Sequence, residues 1–427
     1  MAITMQDFQN SLETARRMDQ DDPLHKWRDE FYIPTHQGEP VLYFCGNSLG
    51  LQPKTARPMI EQELKDWAQH GVEGHFEAER PWVHYHEFLT DAMAKVVGGN
   101  ACEVVCMNSL TVNLHLMMVS FYRPEGRRRK ILIEGGAFPS DQYAVASQAR
   151  FHGLDADQVV EELQPRPGEH LLRTEDILTK VEELGDELAL IMIGGVNYLT
   201  GQLYDMEAIT QKGHAVGAKV GFDLAHGAGN VPLRLHDWGV DFAVWCSYKY
   251  LNSGPGGIAG CFVHENHVKG NLPRFEGWWG HSKEKRFKME PSFEAIPSVE
   301  AWQLSNPPIF QLASLLASLK IFDQAGMSEL RTKSECLTSY LEYMVVDAFG
   351  SRDLVITPSQ VHERGAQLSF RIPKGGRDVL ERLKQRGVIC DFREPNIIRA
   401  APTPLYNSYE DVFRFVSILK ECVHELS

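Results

Sequence analysis

An aspartate, a histidine and a lysine stand at the ends of two successive apolar runs, Val220-Gly-Phe-Asp-Leu-Ala-His226 and Trp245-Cys-Ser-Tyr-Lys-Tyr-Leu251. A glycine-rich turn, Ser253-Gly-Pro-Gly-Gly257, follows the lysine. A lysine amine forms a Schiff base with an aldehyde cofactor, and a carboxylate keeps a pyridine nitrogen protonated so that the ring accepts electrons. Lys249 and Asp223 in this setting point to pyridoxal 5'-phosphate (PLP) chemistry. The plainer alternative is an ordinary ion pair between domains.

Such residues need a rigid frame. Between about residues 100 and 265, short apolar runs alternate with helix-patterned segments. Residues 103–107, 130–134, 188–193, 219–223, 242–246 and 258–263 read as buried strands, and 205–217 reads as a helix. That alternation predicts an α/β layer on a mainly parallel sheet, with ligands beyond the carboxyl ends of the strands. A strand ending at Met107 and a helix starting near Val112 place Asn108 to Thr111 at a helix N-terminus, where free N–H groups suit a phosphate. Thr111 also reads as a simple helix cap. Beyond residue 310 the pattern changes to a long helix over 309–324, strands over 366–372 and 388–392, and helices over 378–386 and 409–426. This is a smaller α+β unit.

Composition narrows the class. The 427 residues are 43% hydrophobic and 23% charged, ordinary globular usage with room for more than one core. No apolar stretch approaches a bilayer span and the first residues lack a signal-peptide core, so a cytoplasmic protein is expected. The eight cysteines are scattered without a C-x-x-C pair, which suits a reducing compartment. A net charge of -14 argues against nucleic acid. The basic run Arg127 to Lys130 reads as a solvated loop. No metal-ligand spacing such as H-E-x-x-H occurs.

Several further segments sharpen the reading. Gly221-Phe-Asp-Leu-Ala-His-Gly227, Asp237-Trp-Gly-Val-Asp-Phe-Ala243 and Cys246-Ser-Tyr-Lys-Tyr-Leu-Asn252 closely resemble kynureninase, a fold type I PLP enzyme of the aminotransferase class V-like group. So do Phe44-Cys-Gly-Asn-Ser-Leu-Gly-Leu51, Phe138-Pro-Ser-Asp141, Ser305-Asn-Pro-Pro308 and Arg399-Ala-Ala-Pro-Thr-Pro-Leu-Tyr406, in family order over nearly the whole chain. The resemblance implies a seven-stranded, mainly parallel sheet in a PLP-binding domain over residues 46–310. Residues 1–45 and 311–427 would form an N-terminal arm and the small α+β domain. It implies hydrolysis of the Cβ–Cγ bond of L-kynurenine or 3-hydroxy-L-kynurenine to an anthranilate and L-alanine, in tryptophan catabolism and NAD biosynthesis.

Residue by residue, the resemblance makes Lys249 the Schiff-base lysine and proton shuttle and Asp223 the partner of the ring nitrogen. His226 would stand beside the ring, Phe138 on its face and Asp141 in the same pocket. Leu110, Thr111 and Tyr248 would hold the phosphate. Trp278 and Asn306 match cofactor positions supplied by a neighbouring subunit, which implies a homodimer with shared active sites. Arg399 would clamp the substrate α-carboxylate through its planar fork. His75, Ser305 and Asn306 would face the aromatic end, where a polar set favours the ring-hydroxylated substrate. One departure stands out: Gly194 occupies a position where many family members have serine.

Two rivals share part of this pattern. A cysteine desulfurase or selenocysteine lyase would use Lys249, Asp223 and His226, but needs a nucleophilic cysteine on a mobile loop. Cys336 is the nearest candidate, and it falls in a helical pattern. A PLP-binding protein without catalysis would not need lysine, carboxylate and arginine together.

Overall fold

All six apolar runs become strands of one sheet. In the computed structural model, which describes residues 8–270 and 272–426, they are β1 (Val104–Cys106), β2 (Lys130–Glu134), β4 (Leu188–Gly194), β5 (Lys219–Asp223), β6 (Phe242–Trp245) and β7 (Gly260–Val263). A seventh strand, β3 (Val160–Leu163), was not legible as an apolar run because Glu161 and Glu162 occupy its middle. It lies on the sheet edge, where charge discourages pairing with another chain, and Lys130 Nζ bonds Glu161 there at 2.9 Å.

The order across the sheet is β1-β7-β6-β5-β4-β2-β3. Neighbouring pairs from β6 to β3 are parallel, and β7 runs antiparallel to both β6 and β1. Glu134, Gly194, Asp223 and Trp245 therefore end their strands along one edge. Asp223 stands opposite Gly194 on one side and Val244 on the other. β4 is buried throughout, as expected for a strand covered on both faces. Alternate residues enter different cores: Phe242 and Val244 join the one containing Leu114 and Met117, while Ala243 and Trp245 join the one containing Ile209 and Leu315. Close packing reaches the backbone at Gly221, where a Cβ would lie 2.1 Å from the Phe242 ring.

The helix Leu110–Phe121 starts two residues earlier than the sequence pattern placed it, with Ser109 as N-cap and no side-chain cap bond. The helix Ile309–Ala325 packs its apolar residues on the large core. Beyond it, β8 (Leu368–Arg371), β9 (Asp391–Arg393) and β10 (Ile397–Ala400) form an antiparallel sheet in the order β8-β10-β9. The helices Met327–Phe349, Gly376–Gln385 and Tyr409–His424 complete this unit, and Phe8, Ala15 and Met18 from the N-terminal region enter its core. The single strand expected over 388–392 is two. Val388–Ile389 pairs in parallel with Leu42–Tyr43, whereas Asp391–Arg393 pairs with β10. That split ties the N-terminal arm to the small sheet and leaves Asp391 opposite Arg399.

Candidate active site

One pocket gathers the loops that follow the strand ends. Its walls include Leu110, Thr111, Phe138, Asp141, Asp223, His226, Tyr248 and Lys249, so eight of the site residues expected from the sequence meet here. Glu134, Ser140, Gly194, Val196, Tyr198 and Ala225 complete the wall.

Lys249 lies beyond β6 in a turn rather than on the strand itself. Three contacts fix that turn: the Gly50 N–H donates to the Tyr248 carbonyl at 2.8 Å, and the Ser247 hydroxyl bonds both Ser253 and the Ile258 carbonyl. The glycine-rich segment thus braces the lysine turn from behind. Lys249 Nζ stands 3.1 Å from His226 Nε2 and 5.8 Å from the centroid of the Phe138 ring. The Phe138 ring is 43% exposed and is held edge-on by Tyr198, so one aromatic face stays open to the pocket.

Three carboxyl groups share this dry wall. Burial pushes Asp223 above the usual carboxylate range, although the Ala225 N–H (2.6 Å) and the Lys249 charge oppose the shift. Burial raises Asp141 well above its usual value, and the nearby charges of Asp223 and Glu134 add to it. Glu134 is pushed up to about 7, chiefly by burial; the Gly194 N–H at 2.9 Å opposes the shift and Asp223 reinforces it. The imidazole of His226 is lowered well below its usual value by burial, then by the charges of Lys249 and Arg399. It is neutral near pH 7 and accepts from the Lys249 amine.

The residues fit PLP. Asp141 Oδ1 and His226 Nδ1 are buried polar atoms on this wall without a hydrogen-bond partner among the described residues. Buried polar atoms in native structures are normally paired, so both await a polar ligand. Leu110 and Thr111 open a twelve-residue helix without a side-chain cap, which leaves first-turn N–H groups for an anion. Asp223 offers a carboxylate for a ring nitrogen, and Lys249 an amine.

Arg399 is nearby but less free than the sequence implied. It is 1% exposed on β10, ion-paired with Asp391, and its Nη1 donates to the Tyr198 carbonyl at 2.5 Å. Its Nε–H has no partner among the described residues. Trp278, Ser305, Asn306 and His75 do not line the Lys249 pocket of their own chain. Trp278 is 40% exposed and donates to the Arg286 carbonyl; Ser305 and Asn306 are exposed. His75 packs edge-on against Trp82 and bonds the Val72 carbonyl at 2.9 Å. It lines a separate cavity of about 230 Å³ with Trp67, Trp82 and Phe310.

The sequence reading missed Glu134 and Tyr198. Glu134 closes an apolar strand on the ligand-bearing edge, so the rule that singled out Asp223 applied to it too. Cys336 sits within the helix Met327–Phe349 against the small core, not on the loop that a desulfurase nucleophile needs. The basic run pairs locally: Arg127 with Asp186 and Glu187, Lys130 with Glu161 and Glu187.

A family model for the kynureninase C-terminal domain matches residues 330–419. Over 97% of both chains, the sequence is 60% identical to a kynureninase of Myxococcus xanthus. The chain belongs to the kynureninase family. A kynureninase of Christiangramia forsetii is 54% identical over 97% of this chain and 98% of its own. Among solved structures, the enzyme C-DES, studied as a mutant with glycine covalently linked to its PLP cofactor, superposes with a TM-score of 0.76. It covers 89% of this chain and 96% of its own at 18% identity, which shows the shared fold and nothing finer. The family assignment thus rests on sequence, and the fold on both.

Proposed function

We propose that this pocket binds PLP and that the chain hydrolyses the Cβ–Cγ bond of L-kynurenine, 3-hydroxy-L-kynurenine or both, releasing an anthranilate and L-alanine. The convergence of Lys249, His226 and Asp223 on one pocket, in a chain with near full-length kynureninase relatives, carries this reading. When bound, PLP supplies an electron sink for negative charge at the substrate Cα. Asp223 holds the proton on the ring nitrogen. Lys249 carries the cofactor and moves the proton at Cα, its amine steadied by neutral His226. Burial raises the Tyr248 phenol, which therefore remains a donor at neutral pH and suits the phosphate or a departing group. Leu110 and Thr111 receive the phosphate, while Phe138 and Asp141 hold the ring. Arg399 orients the substrate carboxylate, and its seat between Asp391 and Tyr198 fixes the angle of the fork.

The proposal includes a homodimer in which the partner's copy of Trp278 and Asn306 completes each site. Exposed Trp67, Phe76, Trp278, Phe287 and Phe310 support such an interface, since large apolar side chains in a group mark a contact surface. His75 then faces the aromatic end of the substrate and favours 3-hydroxykynurenine, and a kcat/KM strongly favouring kynurenine would contradict that. The division into a cofactor domain (46–310) and a small unit (1–45 with 311–427) belongs to the same proposal. So does a cytoplasmic role in tryptophan catabolism and NAD biosynthesis; among the described residues, no helix is long and apolar enough to cross a membrane. Mixed with PLP and L-kynurenine, the protein is expected to remove the substrate absorbance while anthranilate fluorescence rises. Sulfide released from cysteine without anthranilate would instead favour a desulfurase.

A further inference from the structure

Gly194 and Glu134 occupy one seat. Glu134 Oε2 accepts the Gly194 N–H at 2.9 Å, and a Cβ on Gly194 would lie 2.9 Å from Glu134 Oε1. The carboxyl group therefore fills the space that a side chain at position 194 would claim. It is 4% exposed, on the wall shared with Asp141, Asp223 and Lys249. No residue role assigned above uses it. Three carboxyl groups buried this closely cannot all ionise without a large cost.

We propose that Glu134 is a third carboxyl of the cofactor cradle, seated where Gly194 leaves room, and that it acts through Asp223 by taking up or releasing a proton and so setting the negative charge that faces the cofactor ring. The inference rests on reading this pocket as a PLP site. Glu134 is a positioning residue: the strand that carries Gly194 separates its own strand from that of Asp223, the carboxylate assigned to the ring nitrogen. The groups around it are Asp223 on β5, Asp141 on the helix Pro139–Phe151 and Tyr204 after β4, with Lys249 and His226 across the pocket. None of the first three is a cation, and among the described residues no ion pair fixes Glu134 in its charged form. Its raised proton affinity follows from burial and from the charge on Asp223. The Gly194 N–H keeps the ionised form accessible, since a hydrogen bond to a carboxylate favours it. Glu134 is thus poised to change charge near neutrality, beside two carboxyl groups whose proton affinity burial also raises.

PLP-loaded wild type, Glu134→Gln and Glu134→Ala are compared by the visible absorbance of the bound cofactor from pH 6 to 8. Wild type is expected to show a step in that range which both variants lack, at equal PLP content. Titration curves that superimpose would overturn the proposal. A second measurement addresses the shared seat: PLP dissociation constants for Gly194→Ser in the wild-type and Glu134→Ala backgrounds. The added side chain is expected to weaken binding about tenfold when Glu134 is present and less than about twofold when it is not. Equal losses in both backgrounds would show that the two positions do not compete, and the inference falls. If wild type itself takes up no PLP on Lys249, the reading of the pocket fails instead, and stoichiometry reports that separately.

Discussion

Asp223 and Asp241 are buried aspartates at opposite ends of the same pair of strands, and they are handled in opposite ways. Asp241 precedes β6 at the amino end of the parallel strands, where it receives His214 (2.8 Å), His267 (2.6 Å), Lys219 (3.0 Å) and the Val220 N–H (2.8 Å). Burial alone would raise it, but these donors outweigh burial and hold the carboxyl below its usual 3.8. Asp223 closes β5 three residues further along, about 10 Å away. It has one N–H at 2.6 Å and two further carboxyl groups beside it, and burial wins. The amino edge satisfies its charge and holds the sheet together. The carboxyl edge leaves charge unsatisfied, which is what a ligand-binding edge needs.

The sharpest way to break this contrast is to remove each aspartate. Asp241→Ala leaves the Val220 N–H and its half-exposed cationic partners without their acceptor, so unfolding in denaturant should show a loss of about 1–3 kcal/mol, with turnover per folded molecule kept. Asp223→Ala should do the reverse, lowering kcat by about 10²–10³-fold with stability unchanged or slightly raised. If Asp241→Ala silenced the enzyme while leaving stability intact, the division of labour would be wrong.

The pH dependence of the apo protein tests the same contrast with a smaller effect. The folded value of Glu134, about 7, lies above its ordinary 4.5, so the folded state binds the extra proton. Its contribution is present at low pH and is lost as pH rises through that window. Glu134→Gln should stabilise the apo protein by about 3 kcal/mol at pH 8 and hardly at all at pH 4. Asp241 has the opposite sign: its contribution is full above 3.8 and is lost only as pH falls through a still lower value. Arg399→Lys is the mildest change. It keeps the charge but removes the planar fork, and KM should rise about 10–100-fold with a smaller fall in kcat.

Much of this edge was legible in the sequence because strand ends are marked by a change from apolar to chemical residue types. Asp223, His226 and Lys249 stand out for that reason, and Phe138 and Asp141 follow a strand in the same manner. Glu134 escaped because a glutamate closing a strand is usually solvated, and nothing local reveals that Gly194, sixty residues on, makes room for it. β3 escaped because its stability comes from edge pairing and Lys130, not from an apolar run. The break at Cys390 was hidden because one apolar run serves two sheets. Trp278, Ser305 and Asn306 were readable only by resemblance, and the single chain leaves them outside the pocket.

The amine that everything else surrounds gives the most direct test. The protein is loaded with PLP, reduced with borohydride and digested, and the modified peptide is sequenced by mass spectrometry. The added cofactor mass should fall on Lys249 and vanish in Lys249→Ala, which also loses turnover while still binding PLP noncovalently. Modification of another lysine, or full turnover by Lys249→Ala, would contradict the assignment of this pocket.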